Sequence, residues 1–318
     1  MDSINIRPLQ EDLTFGVRIR GVTQRLLKDE AVRKDINDLF ESKGMIVFED
    51  VEPTSQMHVA LSTVFGPLKD HPVPSVVRVD ASRLPGVIDM HNKGGASGIV
   101  EIAGKRMSQW IPWHFDHCYN NELNRAGVLR AIQIVPEGGL TGFADGIDLY
   151  KAVSPELRDR FEGKNIIYKL NVVYSQMRFG KPAGFVDVVP KPGALTTNEH
   201  AKNMPRALHP AIWTRRTGEK VLHISPWMAE GIQGQENEAG NALLEAVSQQ
   251  INAKAQPYFH KWKLTDMLIW DNWRMLHSVT GADPKFERRM QRTTIKGDYG
   301  LGCFENGGVG GKILEMTV

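Results

Sequence analysis

The sequence predicts an α+β chain of one domain, spanning residues 1–318. Three observations predict it. Apolar residues recur at helical spacing in a few separate stretches, and short apolar runs between them read as strands. No internal repeat, low-complexity tract or linker-like segment divides the chain. Its length of 318 residues would by itself allow two domains, yet barrels and jelly rolls of this size commonly form single units.

The elements follow in order. Over 28–43, Val32, Ile36, Leu39 and Phe40 mark one helical face, closed by Lys43-Gly44. Met45-Ile46-Val47-Phe48 is a short buried strand. Pro53-Thr54-Ser55 opens a second amphipathic helix, with Leu61, Val64 and Phe65 inward and an end at Gly66-Pro67. Residues 67–110 show little periodicity. Within them Asn92 to Gly98 reads as a flexible loop, placed where it can cover a site that follows. A strand is expected over 127–134 and a helix over 146–162. The stretch 171–206 is irregular and is a second lid candidate. Lys220 to Ile224 is a strand, and Asn237 to Ala255 a helix with Leu243, Leu244, Val247 and Ile251 on one side. Met267 to Trp270 and 288–297 are the closing strands.

Composition narrows the function. A formal net charge of +2 gives no reason to expect a nucleic-acid partner. No segment is long and apolar enough to span a bilayer, and the first residues lack the apolar run of a signal peptide. Two cysteines, Cys118 and Cys303, make no disulfide framework, so a reducing, cytoplasmic compartment is expected. Cys118 is read as a small buried apolar residue in preference to a pocket thiol.

The chemistry-bearing residues are His114-x-Asp116 and the distant His277, followed by Arg288 and Arg292. Two histidines and a carboxylate can bind one face of iron(II) and leave the other open. Strand alternation points residues i and i+2 the same way, so His114 and Asp116 converge while Phe115 turns aside. By the same alternation Arg288, Met290 and Arg292 share a face. The turn-forming Gly281-Ala282-Asp283-Pro284 suggests that this last strand returns antiparallel to the one bearing His277. An arginine can grip a carboxylate with two parallel hydrogen bonds. Two histidines and a carboxylate also suit catalytic zinc, so a zinc hydrolase is the alternative enzyme, with a non-catalytic ligand-binding jelly roll as the third class.

From about residue 5 to residue 300 the chain resembles the TauD/TfdA family of iron(II)- and 2-oxoglutarate-dependent dioxygenases. The resemblance rests on Phe65-Gly66-Pro67-Leu68 with His71-Pro72-Val73, Trp113-His114-x-Asp116, Gly138-Gly139-x-Thr141, His209-Pro210, Trp270-Asp271-Asn272, His277, and Arg288-x-x-x-Arg292-x-Thr294. It implies a double-stranded β-helix (jelly roll) core with flanking helices and lid loops. It implies His114, Asp116 and His277 as iron ligands, and Arg288 with Thr141 at the distal carboxylate of 2-oxoglutarate. His71, Arg292 and the backbone N–H of His117 match positions that bind the acidic group of the prime substrate. Trp110 and Pro74 stand where members selective for a small aminosulfonate carry polar side chains, so a larger, less polar acid, such as an aromatic one, suits the pocket better than taurine. Tyr174, Phe179, Trp227 and Met228 fall in loops that could line the same pocket, with core or surface packing as the default for each. The implied reaction uses O2 and 2-oxoglutarate, releases succinate and CO2, and oxidises a substrate C–H bond. Family members are often dimers or tetramers, so a homo-oligomer is expected.

Overall fold

The computed structural model describes residues 4–71, 76–80, 82–297 and 299–307. Strands dominate, and two of the sheets build the site. The larger has eight strands in the order Asn5–Pro8, Val17–Arg20, Met45–Phe48, Met267–Asp271, Ala126–Gln133, Arg288–Ile295, Leu84–Asn92 and Arg78–Asp80. Every neighbouring pair is antiparallel except Val17–Arg20 with Met45–Phe48. The smaller has four antiparallel strands, Tyr258–His260, Thr141–Asp145, Met275–Val279 and Ile111–His114.

The large sheet is apolar on both faces, and strand alternation sorts its side chains. Val128 and Ile269 face one way, into a cluster with Ile36, Phe40, Met57 and Leu61 from the two N-terminal helices. Leu129, Leu268, Trp270 and Met290 face the other way, and meet Phe143 and Met275 of the small sheet. The gap between the sheets is therefore partly core and partly pocket. No helix among the described residues is long and apolar enough to cross a membrane.

Most helix ends lie where the sequence puts them. The first helix, Glu30–Lys43, starts at Asp29, whose carboxylate accepts from the N–H of Ala31 and Val32, and ends at Gly44 with a left-handed φ of 74°. The helix Glu238–Lys254 is capped by Asn237. Other boundaries differ. The second helix, Ser55–Ser62, stops short of Gly66, and Val64 is only half-buried. The helix expected over 146–162 is broken into Gly146–Ala152, Pro155–Arg158 and a short 3-10 turn, because Pro155 disfavours helical geometry at Ser154 and has no N–H to continue the ladder. The stretch 171–206 contains a strand, Val186–Val189, and a helix, Ala194–Ala201. Within 67–110 lies the nine-residue strand Leu84–Asn92 of the large sheet, hidden by Pro85 and Gly86, which read as loop. The expected flexible loop after it holds a 3-10 turn, Gly94–Ser97, and Gly95 N–H bonds to Pro284 O at 2.7 Å.

One topological expectation is corrected. Arg288–Ile295 does not return beside the strand bearing His277. It pairs with Ala126–Gln133 and Leu84–Asn92 in the opposite sheet. The arginines reach the site across the gap between sheets, because their strand alternation aims them there.

Candidate active site

His114 ends its strand, and His277 sits directly opposite it in the neighbouring strand. Direct cross-strand pairing brings the two rings to 4.0 Å between centroids. Asp116 lies just past the strand end, in a turn, so a bend delivers it to the site instead of regular alternation. One ligand atom from each of His114, Asp116 and His277 lies within 4.8 Å of the other two.

The protonation states suit a cation. His114 Nδ1 lies 2.9 Å from Pro112 O. Donating there leaves the lone pair on Nε2, the arrangement a metal-binding imidazole needs. Burial lowers both His114 and His277, the latter well below the usual histidine range, so both are neutral donors at pH 7. Burial alone would raise the Asp116 carboxyl. The guanidinium of Arg292 outweighs it and holds the group well below the usual carboxylate range. Asp116 Oδ2 and His277 Nδ1 are buried without hydrogen-bond partners. An orphaned carboxylate oxygen between two neutral imidazoles fits a divalent metal of the iron or zinc type.

Asp116 is fixed by a residue that the sequence reading quoted without a role. Asn272 Oδ1 accepts from Asp116 N–H at 2.8 Å. Its Nδ2 donates to Asp116 O at 3.0 Å and to Asn124 Oδ1 at 3.1 Å. Such a clamp leaves no mark of its own in a sequence.

Across the gap, Arg288 and Thr141 come together. Arg288 Nη2 donates to Thr141 Oγ1 at 3.2 Å, and Trp262 Nε1 donates to the same oxygen at 3.0 Å. Both lone pairs of the hydroxyl are thereby engaged, and its proton is left to donate into the pocket. Trp262 is a second residue that sequence reasoning missed. Burial lowers Arg288 to about 10, which keeps it charged at pH 7. Among the described residues no carboxylate pairs with it.

Arg292 lines the same pocket, where its Nη1 donates to Asp116 Oδ1 at 2.6 Å. His71 and His117 meet edge to face, with 5.2 Å between ring centroids. His117 is buried and has a left-handed φ of 60°. Trp110 lines the pocket and packs against Tyr174 and Phe185 at 5.4 and 5.3 Å. Pro74 lies outside the described residues. Of the loop aromatics, Tyr174 lines the pocket and Trp227 meets His114 edge-on. Phe179 and Met228 are core residues, as is Cys118, whose thiol is raised by burial. The cavity that joins His114, His277, Thr141, Arg288 and Arg292 has a volume of about 420 Å³.

Comparison with known proteins agrees with this arrangement. The family described as "Taurine catabolism dioxygenase TauD, TfdA family" matches residues 5–294. The chain is 29% identical over 302 residues to the (S)-phenoxypropionate/alpha-ketoglutarate-dioxygenase of Sphingobium herbicidovorans, covering 93% of this chain and 96% of that protein. It is 24% identical to the alpha-ketoglutarate-dependent 2,4-dichlorophenoxyacetate dioxygenase of Cupriavidus pinatubonensis, covering 93% and 99%. Among solved structures, AAD-2 in complex with Mn(II) and N-oxalylglycine superposes with a TM-score of 0.69 at 22% identity, covering 94% of this chain and 99% of that one. A taurine dioxygenase from Burkholderia xenovorans gives 0.66 at 22% identity, covering 96% and 94%. With nearly its whole length matched, the chain belongs to the taurine catabolism dioxygenase TauD, TfdA family.

Proposed function

We propose that the chain is an iron(II)- and 2-oxoglutarate-dependent dioxygenase that oxidises a C–H bond of a small organic acid, by hydroxylation with or without cleavage of a heteroatom bond. One observation carries this reading. The His114, Asp116 and His277 cluster shares its pocket with Arg288, a buried guanidinium that has no acid partner among the described residues. A buried charge without a counter-charge is costly unless a ligand supplies one. The distal carboxylate of 2-oxoglutarate does so, and a zinc hydrolase would give Arg288 no such role. The relatives' names support the cosubstrate and a carboxylate substrate. N-oxalylglycine, bound in one structural neighbour, is an amide isostere of 2-oxoglutarate.

In this reading His114, Asp116 and His277 would hold the metal, with the Asn272 clamp keeping Asp116 in place. Bound iron(II) supplies O2 activation, coupled to decarboxylation of 2-oxoglutarate into succinate and CO2. Arg288 grips the distal carboxylate in bidentate fashion and Thr141 donates one further bond. Arg292, His71 and the N–H of His117 receive the acid group of the substrate. Trp110, Tyr174 and Ile111 enclose its body and exclude water, which favours an apolar or aromatic acid. A double-stranded β-helix (jelly roll) as the common frame of the two sheets, a single domain over 1–318, self-association of copies and a cytoplasmic location complete the proposal.

Adding iron(II) and 2-oxoglutarate to the purified protein without oxygen tests it. A visible charge-transfer band is expected, and Arg288→Ala should need far more 2-oxoglutarate to show it. Absence of the band, with zinc retained and O2-independent turnover, would favour the hydrolase.

A further inference from the structure

The pocket wall holds a polar segment to which the reading above gives no role. Ser108 and Gln109 follow the strand Lys105–Met107 and precede Trp110, and all three line the cavity. Both polar side chains are buried, at 1% and 8% exposure. Gln109 has a φ of 66°, in the left-handed region that side-chain-bearing residues avoid. Strain held beside a cavity points to use. Here two successive residues line one cavity, where a regular strand would send their side chains to opposite faces.

Gln109 Nε2 donates to Phe286 O at 3.1 Å. That bond orients the amide, because the flipped form would set two oxygens against each other. Gln109 Oε1 is therefore an acceptor, and it is buried with no hydrogen-bond partner. Ser108 Oγ is also buried and unpartnered, while its backbone is held on both sides by Ala282. A buried acceptor left unsatisfied is costly, so a donor is expected there. 2-Oxoglutarate, a dianion at pH 7, carries no donor. Of the two organic ligands of this pocket, only the second substrate can bring one.

Building on the dioxygenase reading, we propose that Gln109 and Ser108 are specificity-determining residues. They select organic acids whose apolar body carries an O–H or N–H group, received by Gln109 Oε1 with Ser108 Oγ completing the contact. The acid group binds at Arg292, and the donor identifies the body.

The test uses the iron(II)-loaded enzyme with 2-oxoglutarate and pairs of aryloxyacetic acids that differ only in a ring methyl or hydroxyl, at the ortho, meta or para position. Affinity is measured by calorimetry without oxygen, and turnover by succinate release. At one ring position the hydroxyl acid should bind about tenfold more tightly, as expected for one well-made hydrogen bond, and the gain should appear in KM and not in kcat. Gln109→Met should bring the ratio close to one, and Ser108→Ala should lower it less. If Gln109→Met does not fold, the wild-type ratio and Ser108→Ala decide the matter. Equal affinity at all three positions in the wild type, with turnover intact, overturns the proposal and leaves the dioxygenase reading standing, since water then satisfies both side chains. If no acid of either kind binds or releases succinate while iron(II) and 2-oxoglutarate still give the charge-transfer band, the proposal falls and the dioxygenase reading stands; without that band both fall.

Discussion

The two walls of the pocket are finished to different degrees. The histidine wall is held by its own hydrogen bonds: Pro112 O orients His114, and Asn272 clamps Asp116 from both sides of its backbone. The arginine wall is incomplete. Arg288 and Arg292 come from one strand and one face, yet Arg292 has a carboxylate partner in Asp116 and Arg288 has only hydroxyl contact. A wall built to position a metal needs rigid ligands. A wall built to receive an anion needs a charge that the protein itself leaves unpaired.

The largest break in this comparison is Asp116→Ala. It removes a proposed metal ligand and also strands Arg292 as a buried cation. Substrate-dependent succinate formation should fall by at least about a thousandfold, which corresponds to about 4 kcal/mol. Residual turnover near the wild-type rate, at equal iron supply, would show that the carboxylate is no ligand.

Arg288→Met separates binding from stability. Affinity for 2-oxoglutarate should drop about a hundredfold once the bidentate grip is gone. Without cosubstrate, however, the variant should be more stable than the wild type, by roughly 1–4 kcal/mol, because a buried unpaired charge has become apolar. Opposite shifts in denaturant midpoint and in 2-oxoglutarate affinity are the signature. A less stable variant would mean that Arg288 has a structural partner.

Asn272→Ala loosens the histidine wall without touching a ligand atom. Metal affinity should fall by about 10- to 100-fold, as for other residues that orient ligands. Competition with a chelator measures it, and unchanged affinity would show that the turn holds Asp116 unaided.

Acid probes what backs each wall. Burial pulls His58, behind the arginine wall, and His209 down to about 4, and His223 to about 3. His223 stacks on Phe115 behind the ligands, at 3.9 Å. The unfolded chain binds these protons near pH ~6.5, so stability is full above that value and is lost as pH falls. Asp271, raised to about 6 by burial, takes up a proton in the folded state and offsets part of the loss. Between pH 6.5 and 5.5 these four groups together account for a net loss of about 2 kcal/mol, read from urea midpoints, and His114, His117 and His277, also lowered by burial, add to it.

Much of this was legible in the sequence wherever local chemistry decides the outcome. Gly44 and Asn237 mark helix ends because capping is a local bond. The candidate cluster His114, Asp116 and His277 was readable because few side-chain types bind iron, and the structure brings the three together. Pairing across the gap was not readable: the turn at Gly281 suggested a hairpin, but the arginine strand joined the opposite sheet. Leu84–Asn92 was obscured by Pro85 and Gly86, whose local preference yields to the long strand beside it. Asn272 and Trp262 act on residues more than a hundred positions away in the chain, and no pattern of spacing announces such a contact.

The direct pairing of His277 with His114 also sets where this chain can change length. An irregularity between His277 and Val279 already takes up one extra residue of Ile111–His114, so what must be kept is the His277–His114 pair itself, and an insertion that shifts that pair by one residue would turn one of the two rings to the opposite face. The segment between Asn171 and Arg206 carries no such constraint from the ligands. Insertions and deletions that alter which acid is accepted therefore have room there, while the strands that bear His114 and His277 are held to that one pairing.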